Sequence, residues 1–273
     1  VYCRTITPLS TSQYIVLGDI YDVSSATWAD VVSARIDATT GNMTSLSPRL
    51  NYNSTNSYID DVFATTTGKG NSIYSTGRIY VKGGSDDGMR PYQSKFDSNG
   101  NHIYSKFLVH TYANNARMYG IDIIYDNDSL IHSYFGDKNG SSSNYTVGLI
   151  KTDTLGNVIW SKNYDITSSS VEFSQKVIKT NFGYAIFGYM TGATLDFFII
   201  ATDHDGTVLW SKSYGTASSS EDFRTTVTPT MTYAYGYIYF TGRKTASGNQ
   251  NIIIGRTDQT GAISCTTTSN LNI

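Results

Sequence analysis

Apolar and polar residues alternate with a period of two along most of this chain, in short runs separated by Gly, Ser, Asn and Asp, which is the pattern of half-buried β-strands. Four such runs can be drawn as Val171 to Thr180, Gly183 to Thr191, Asp196 to Asp203 and Thr207 to Tyr214. The next stretch divides likewise into Asp222 to Thr230, Tyr235 to Lys244, Asn251 to Asp258 and Ala262 onward. A recurring phrase joins the third run to the fourth. Thr152-Asp-Thr-Leu-Gly-Asn-Val-Ile-Trp-Ser-Lys-Asn-Tyr164 and Thr202-Asp-His-Asp-Gly-Thr-Val-Leu-Trp-Ser-Lys-Ser-Tyr214 stand 50 residues apart, and weaker copies begin at Ile36, Phe96 and Thr257. Their turn glycines, Gly41, Gly100, Gly156, Gly206 and Gly261, follow one another at 59, 56, 50 and 55 residues. A period near 55 divides 273 residues into five units, and repeats of this length denote propellers or arrays.

In the Asp-x-x-Gly element the Asp side chain can bond its own backbone and the Gly can supply a positive φ, so the element predicts a tight hairpin. Each unit then reads as a four-stranded antiparallel meander, and five of them predict an all-β, five-bladed β-propeller. A sandwich does not produce equal spacing and a solenoid coil is usually shorter. The expected blades are about 1–51, 52–110, 111–165, 166–215 and 216–273, one domain in all. Composition agrees: only two Glu, Glu172 and Glu221, stand against 22 Tyr and 24 Gly, which is poor in helix formers.

The net charge of −2 and a pI near 6.1 give no global attraction to nucleic acid or an anionic membrane. The longest apolar run, Phe197 to Ala201, is far short of the roughly 18 residues of a membrane span, so no membrane insertion is expected. The chain opens Val-Tyr-Cys without a charged and apolar leader and reads as a processed product or an excised segment. Cys3 and Cys265 lie at opposite ends. Cys265 occupies the slot of Trp160 and Trp210, and Cys3 lies near that of Phe173 and Phe223. A Cys3–Cys265 disulfide closing the ring, worth about 2–4 kcal/mol and implying an oxidising compartment, is one reading; two unrelated thiols is the other.

The phrase Asp-x-x-Gly-Asn-Val-Ile-Trp-Ser-Lys-x-Tyr, followed by Ser/Gly and Gly-Tyr-x-Ile-x-Gly-Tyr, resembles the repeats of secreted or cell-surface β-propeller proteins of the Bacteroidetes type and of ciliate extracellular proteins. The resemblance is good over residues 152 to 242, recognisable at 93 to 106 and loose elsewhere. In the first unit Leu46 replaces the Trp and the turn is one residue longer. The resemblance implies an extracellular or cell-surface propeller and carries no catalytic motif. Tachylectin-type five-bladed lectins share the architecture, but their sugar-site signature is absent.

Propeller glycosidases need two carboxylates on inner strands, and Asp60, Asp61, Asp122, Glu172, Glu221 and Asp222 are the candidates. Glu172, Glu221 and Asp222 recur in register as structural residues would, leaving Asp61 and Asp122 as the irregular ones. His102, His110, His132 and His204 lack metal-ligand spacing, and the Asp97 and Asp203 turns lack the distal Glu of a calcium loop; no metal or cofactor is expected. Lys95, Lys151, Arg35 and Arg256 each precede a turn Asp by two residues and are expected to pair with it. Asn42, Asn53, Asn127, Asn139 and Asn144 open Asn-x-Ser/Thr sequons, of which Asn53, Asn139 and Asn144 lie in polar inter-strand stretches. Tyr52, Tyr58, Tyr112 and Tyr145 are candidate sugar platforms, whereas Tyr14, Tyr74, Tyr184, Tyr237 and Tyr239 alternate as packing residues. Together these features predict a non-enzymatic extracellular structural or adhesive module, a unit of a larger surface protein or fibre that meets other surface proteins, copies of itself or glycans. The alternative is a carbohydrate-binding propeller, with a glycoside-active enzyme behind it.

Overall fold

The computed structural model describes residues 2–21, 29–46, 60–81, 88–108, 117–138, 141–166, 171–192, 194–215, 219–222, 230–246 and 249–263. They form five antiparallel sheets, and the fold class is the five-bladed β-propeller expected from the repeat. The first sheet contains β1 (Tyr2–Pro8), β2 (Gln13–Tyr21), β3 (Ala29–Asp37) and β4 (Met43–Leu46). The second contains β5 (Asp60–Thr67), β6 (Ile73–Val81), β7 (Gly88–Phe96) and β8 (His102–Phe107). The third contains β9 (Met118–Asp126), β10 (Ser129–Lys138), β11 (Ser141–Asp153) and β12 (Val158–Tyr164). The fourth contains β13 (Val171–Lys179), β14 (Tyr184–Thr191), β15 (Leu195–Thr202) and β16 (Val208–Tyr214). In these four sheets strand order follows chain order. Among the described residues no helix is long and apolar enough to cross a membrane.

The fifth sheet contains β17 (Ser220–Asp222), β18 (Met231–Ala234), β19 (Tyr237–Ala246) and β20 (Asn249–Thr257), with β17 and β18 both paired along β19. Of the single run expected from Asp222 to Thr230, Asp222 lies in β17 and Thr230 just before β18, and residues 223–229 lie outside the described residues. The strand expected from Tyr235 begins instead at Tyr237, because Tyr235 and Gly236, at φ 51° and 81°, form the reversal. Of the strand expected from Ala262 only the bridge of Ile263 to Thr257 is described.

By compactness the chain divides into Val1–Ser142 with Ile150–Ser161, and Ser143–Leu149 with Lys162–Ile273, a boundary that runs through β11 and β12. In the first unit the core lies between sheets: Ile15, Leu17 and Val31 meet Val62, Ile73 and Phe96, while Tyr74 meets Ile123 and Leu130. In the second unit Ala185, Phe187, Phe197 and Ile199 meet Met231, Ile238 and Phe240. Period-two alternation supplies the apolar faces that meet between neighbouring sheets within each unit.

The Asp-x-x-Gly turns behave as their chemistry dictates. Asp97, Asp153, Asp203 and Asp258 each accept the backbone N–H groups two and four residues on, and Gly100, Gly156, Gly206 and Gly261 take φ of 75–79°. The longer first turn puts Asp37 Oδ1 on the N–H groups of Thr39 and Thr40 and Gly41 N on Asp37 O. The turns also dock on the preceding sheet of the same unit. Tyr104 Oη donates to Thr154 O at 2.7 Å, Tyr164 Oη to Gly206 O at 2.8 Å, Tyr214 Oη to Gly261 O at 2.9 Å and Trp210 Nε1 to Gln259 O at 2.6 Å. Burial pushes the Tyr104 phenol up to about 12 and those of Tyr164 and Tyr214 higher still, so all three remain donors.

A second repeated device sets the strand starts. Gly18, Gly77, Gly136 and Gly188 on second strands face the carbonyls of Tyr2, Asp61, Arg117 and Phe173 so closely that a Cβ would press into the oxygen. Each of these four sheets carries a bulge in its first-strand pairing: between Cys3 and Thr5, Val62 and Ala64, Gly120 and Asp122, and Ser174 and Lys176. A bulge bends the strand toward its partner, and glycine is the residue that admits the approach. Gly188→Ala is therefore expected to cost about 2–3 kcal/mol in urea unfolding, while Gly192→Ala, whose Cβ would meet nothing nearer than 3.6 Å, stays within about 0.5 kcal/mol.

Candidate functional site

The residue that follows each second-strand glycine decides what stands beside the bulge. In order these are Asp19, Arg78, Asp137, Tyr189 and Arg243. Asp19 faces Tyr2, Arg78 faces Asp61, Tyr189 faces Phe173 and Arg243 faces Asp222, and the Asp137 N–H binds Arg117 O. Three ion pairs form there in the first unit. Arg4 pairs with Asp19, the Arg78 guanidinium with Asp61 at 2.5 Å and Arg117 with Asp137 at 3.2 Å. The sign alternates: the acid lies on the second strand, then the first, then the second. In every pair the acid side chain is buried, at 0–2% exposure, and the base is open, at 34%, 26% and 41%.

These pairs are knitted across sheets. Asp19 Oδ1 accepts the backbone N–H of Val62 at 3.1 Å. Burial pushes the Asp19 carboxyl up, against the Arg4 and Val62 bonds that pull it down, and the neighbouring Asp61 charge adds to the rise. The Arg78 guanidinium lies over the rings of Phe63 and Tyr119, at 5.7 and 5.4 Å, and Tyr119 stacks on Phe135 at 4.8 Å. In the fourth sheet the same slot holds the stacked rings of Phe173 and Tyr189, 4.9 Å apart. The arrangement presents half-open N–H donors, fixed by buried carboxylates, beside flat apolar faces. That combination holds oxygen-rich molecules having a C–H face.

Behind it, His132 is fully buried with Gln93 and Thr152. Its Nε2 lies 3.1 Å from Gln93 Oε1, an acceptor, so that nitrogen carries the proton; Nδ1 is buried without a hydrogen-bond partner. Gln93 in turn donates to Tyr104 Oη at 2.6 Å and to Asp153 O at 3.2 Å. Burial lowers the His132 pKa to about 3.

Of the carboxylates expected from the sequence, Asp61 belongs to this site. Asp122 is buried beside the bulge, opposite Ser133. Glu172 is fully buried opposite Met190, and Glu221 accepts from Ser219 at 2.7 Å and pairs with Lys244 at 3.6 Å. Asp60 faces Ile79 and Asp222 faces Arg243 in register. Arg4, Asp19, Arg78, Arg117 and Asp137 were missed, although the alternating residue after Gly18, Gly77 and Gly136 is visible in the repeat.

Among the described residues no group of three or more His, Cys, Asp or Glu could hold a metal. Lys95 and Arg256 lie over the rings of Tyr74 and Tyr237, at 5.5 and 4.6 Å, and Arg35 binds Ser45. His102 binds Ser105 and His204 meets Tyr184 edge-on. Tyr145 meets Phe173 edge-on, while Tyr52, Tyr58, Tyr112 and His110 lie outside the described residues. Cys3 is exposed on β1; Cys265 lies outside the described residues, and the pairing with it. Asn42 and Asn127 are exposed turn residues and Asn144 lies in β11, whereas Asn53 and Asn139 lie outside the described residues.

No family model matches the chain. No curated protein matches it either. Solved structures do. A Trypanosoma rangeli sialidase in complex with the inhibitor DANA superposes with a TM-score of 0.57 at 13% identity, over 94% of this chain and 47% of the sialidase. The chain thus spans about half the length of that protein. A structure described as a glycoside hydrolase gives 0.50 at 10% identity, covering 99% of this chain and 90% of the other, and a B. megaterium levansucrase variant gives 0.50 at 10%, covering 96% and 81%. At such identities the likeness shows the fold, and it bears out the propeller half of the resemblance read from the repeats. It also corrects the expectation of a non-enzymatic structural or adhesive module: the propellers this chain is similar to are named for enzymes, a sialidase, a glycoside hydrolase and a levansucrase.

The neutral, buried His132 has a pH signature. Its folded pKa lies below the ordinary 6.5, so the unfolded chain binds the proton first as pH falls. Stability is full above about 6.5 and declines from there toward 3. Urea unfolding at pH 7 and pH 5 should show this loss in the native protein, and it should shrink in His132→Gln.

Proposed function

We propose that this chain is a glycan-directed propeller that binds carbohydrate where the first strands of its sheets begin, through Arg4, Arg78 and Arg117 beside the rings of Phe63 and Tyr119. The observation that carries this is the three-fold recurrence of a buried carboxylate holding a part-exposed guanidinium at the same end of neighbouring sheets. Burying only the acid orients the base and leaves part of the basic side chain open to solvent, at 26–41% exposure. Three bases against three acids leave the cluster formally neutral, which suits the hydroxyls of a neutral saccharide better than a polyanion. The propellers of similar fold are a sialidase, a glycoside hydrolase and a levansucrase, which supports the ligand class. Extracellular placement goes with the same reading.

One observation favours a second reading, glycoside hydrolysis. Asp19 has its carboxyl pushed up by burial, and the charge of Asp61 contributes to that rise. A carboxyl raised by burial close to a second carboxylate is the kind of pair from which glycosidases divide acid and base roles.

Migration of the protein through native gels containing levan, xylan, glycogen or polygalacturonate, with reducing ends assayed in parallel, tests both readings. A neutral polymer should retard the protein, and Arg78→Gln should weaken retention at least about tenfold in gels run well below its melting temperature, which falls because buried Asp61 loses its cation. Retention by polygalacturonate alone, or none, contradicts the binding reading. Reducing ends that vanish in Asp19→Asn while retention persists would establish hydrolysis; none from any polymer would eliminate it.

A further inference from the structure

We infer that the opposite end of the fifth sheet carries a second saccharide site, a platform built on Tyr235. The β18–β19 hairpin reverses through Tyr235 and Gly236, both at positive φ. A turn of this kind favours Gly, Asn or Asp, since a side chain in the left-handed region crowds the following carbonyl. Other described hairpins follow the rule, with Gly70 and Asn71 between β5 and β6 and Asn127 and Asp128 between β9 and β10. Among the described residues Tyr235 is the one positive-φ residue that is not Gly, Asn or Asp. Its ring is 95% exposed, so packing does not account for it.

The surroundings do. An open cavity of about 330 Å³ is lined by Tyr235, Gly236, Tyr237, Asp258, Gln259 and Thr260. Its polar rim is the Asp258–Gly261 turn, which is held rigid: Thr260 donates from N and Oγ1 to Asp258 Oδ1, at 2.8 and 2.7 Å, and Trp210 and Tyr214 fix the carbonyls of Gln259 and Gly261. The Arg256 guanidinium covers the Tyr237 ring at 4.6 Å, orienting it beside the cavity. A displayed ring face with an amide, a hydroxyl and a carboxylate at fixed distance from it is the chemistry that takes a sugar ring, its C–H face stacked and its hydroxyls bonded. A bound sugar also explains why an unfavourable turn residue is kept.

The inference rests on the glycan-directed reading for its ligand class but on different residues, so the same gels separate the two. Tyr235→Asn should raise the melting temperature by about 2 °C, because Asn accepts the turn conformation, and should weaken retention by levan or xylan at least about fivefold. Retention lost in Tyr235→Asn and kept in Arg78→Gln supports this site and contradicts the other; the reverse overturns this inference alone. Weakened retention in both supports both. A wild-type chain retarded by neither levan nor xylan, or a Tyr235→Asn protein that melts lower and binds unchanged, overturns it.

Discussion

Everything at the candidate site depends on one close approach, that of a bulged first strand to a glycine on its neighbour. The carbonyls of Tyr2, Asp61, Arg117 and Phe173 come so near Gly18, Gly77, Gly136 and Gly188 of their partner strands that no side chain fits between. Two strands pressed together there bring the adjoining side chains into facing positions. Asp19, Arg78 and Asp137 thereby meet Arg4, Asp61 and Arg117. The approach is the same in each of these sheets; the pair placed on it is what varies, from three ion pairs to the stacked rings of Phe173 and Tyr189.

The opposite ends of the sheets are governed by a different interaction. The turn aspartates bond backbone N–H groups, and those bonds hold the carboxyls of Asp203 and Asp258 below the ordinary range, chiefly through Thr207 N–H in one and the Thr260 hydroxyl in the other. The turns then accept tyrosine and tryptophan donors from the preceding sheet. One end is thus made rigid by local hydrogen bonds repeated turn after turn. The other varies its side chains on a constant backbone, which is how a propeller acquires a site without changing its fold.

The turns were legible in the sequence because their physics is local: Asp37, Asp97, Asp153, Asp203 and Asp258 each act within four residues, and a period near 55 follows from them. The ion pairs were not, because Arg4 and Asp19 or Arg117 and Asp137 are joined across a hairpin whose register is set by a bulge. Looking for carboxylates on first strands found Asp61 and passed over Asp19 and Asp137, which reach the same end from second strands. Tyr235 was misread for a related reason. Its alternation with Tyr237 suggests a strand, whereas the following glycine makes it a turn. The expected structural role rested on repeat-dominated chemistry, low charge, the terminal cysteines and the missing leader, none of which registers a site composed across strands.

The most direct test is a double-mutant cycle on retention by a neutral polysaccharide, with Asp61→Asn, Arg78→Gln and the double variant compared at equal stability. If the buried acid acts only by holding the exposed base, each single variant weakens binding and the double variant is no weaker than Arg78→Gln alone. Independent, additive losses would contradict the account, because Asp61 would then touch the sugar itself.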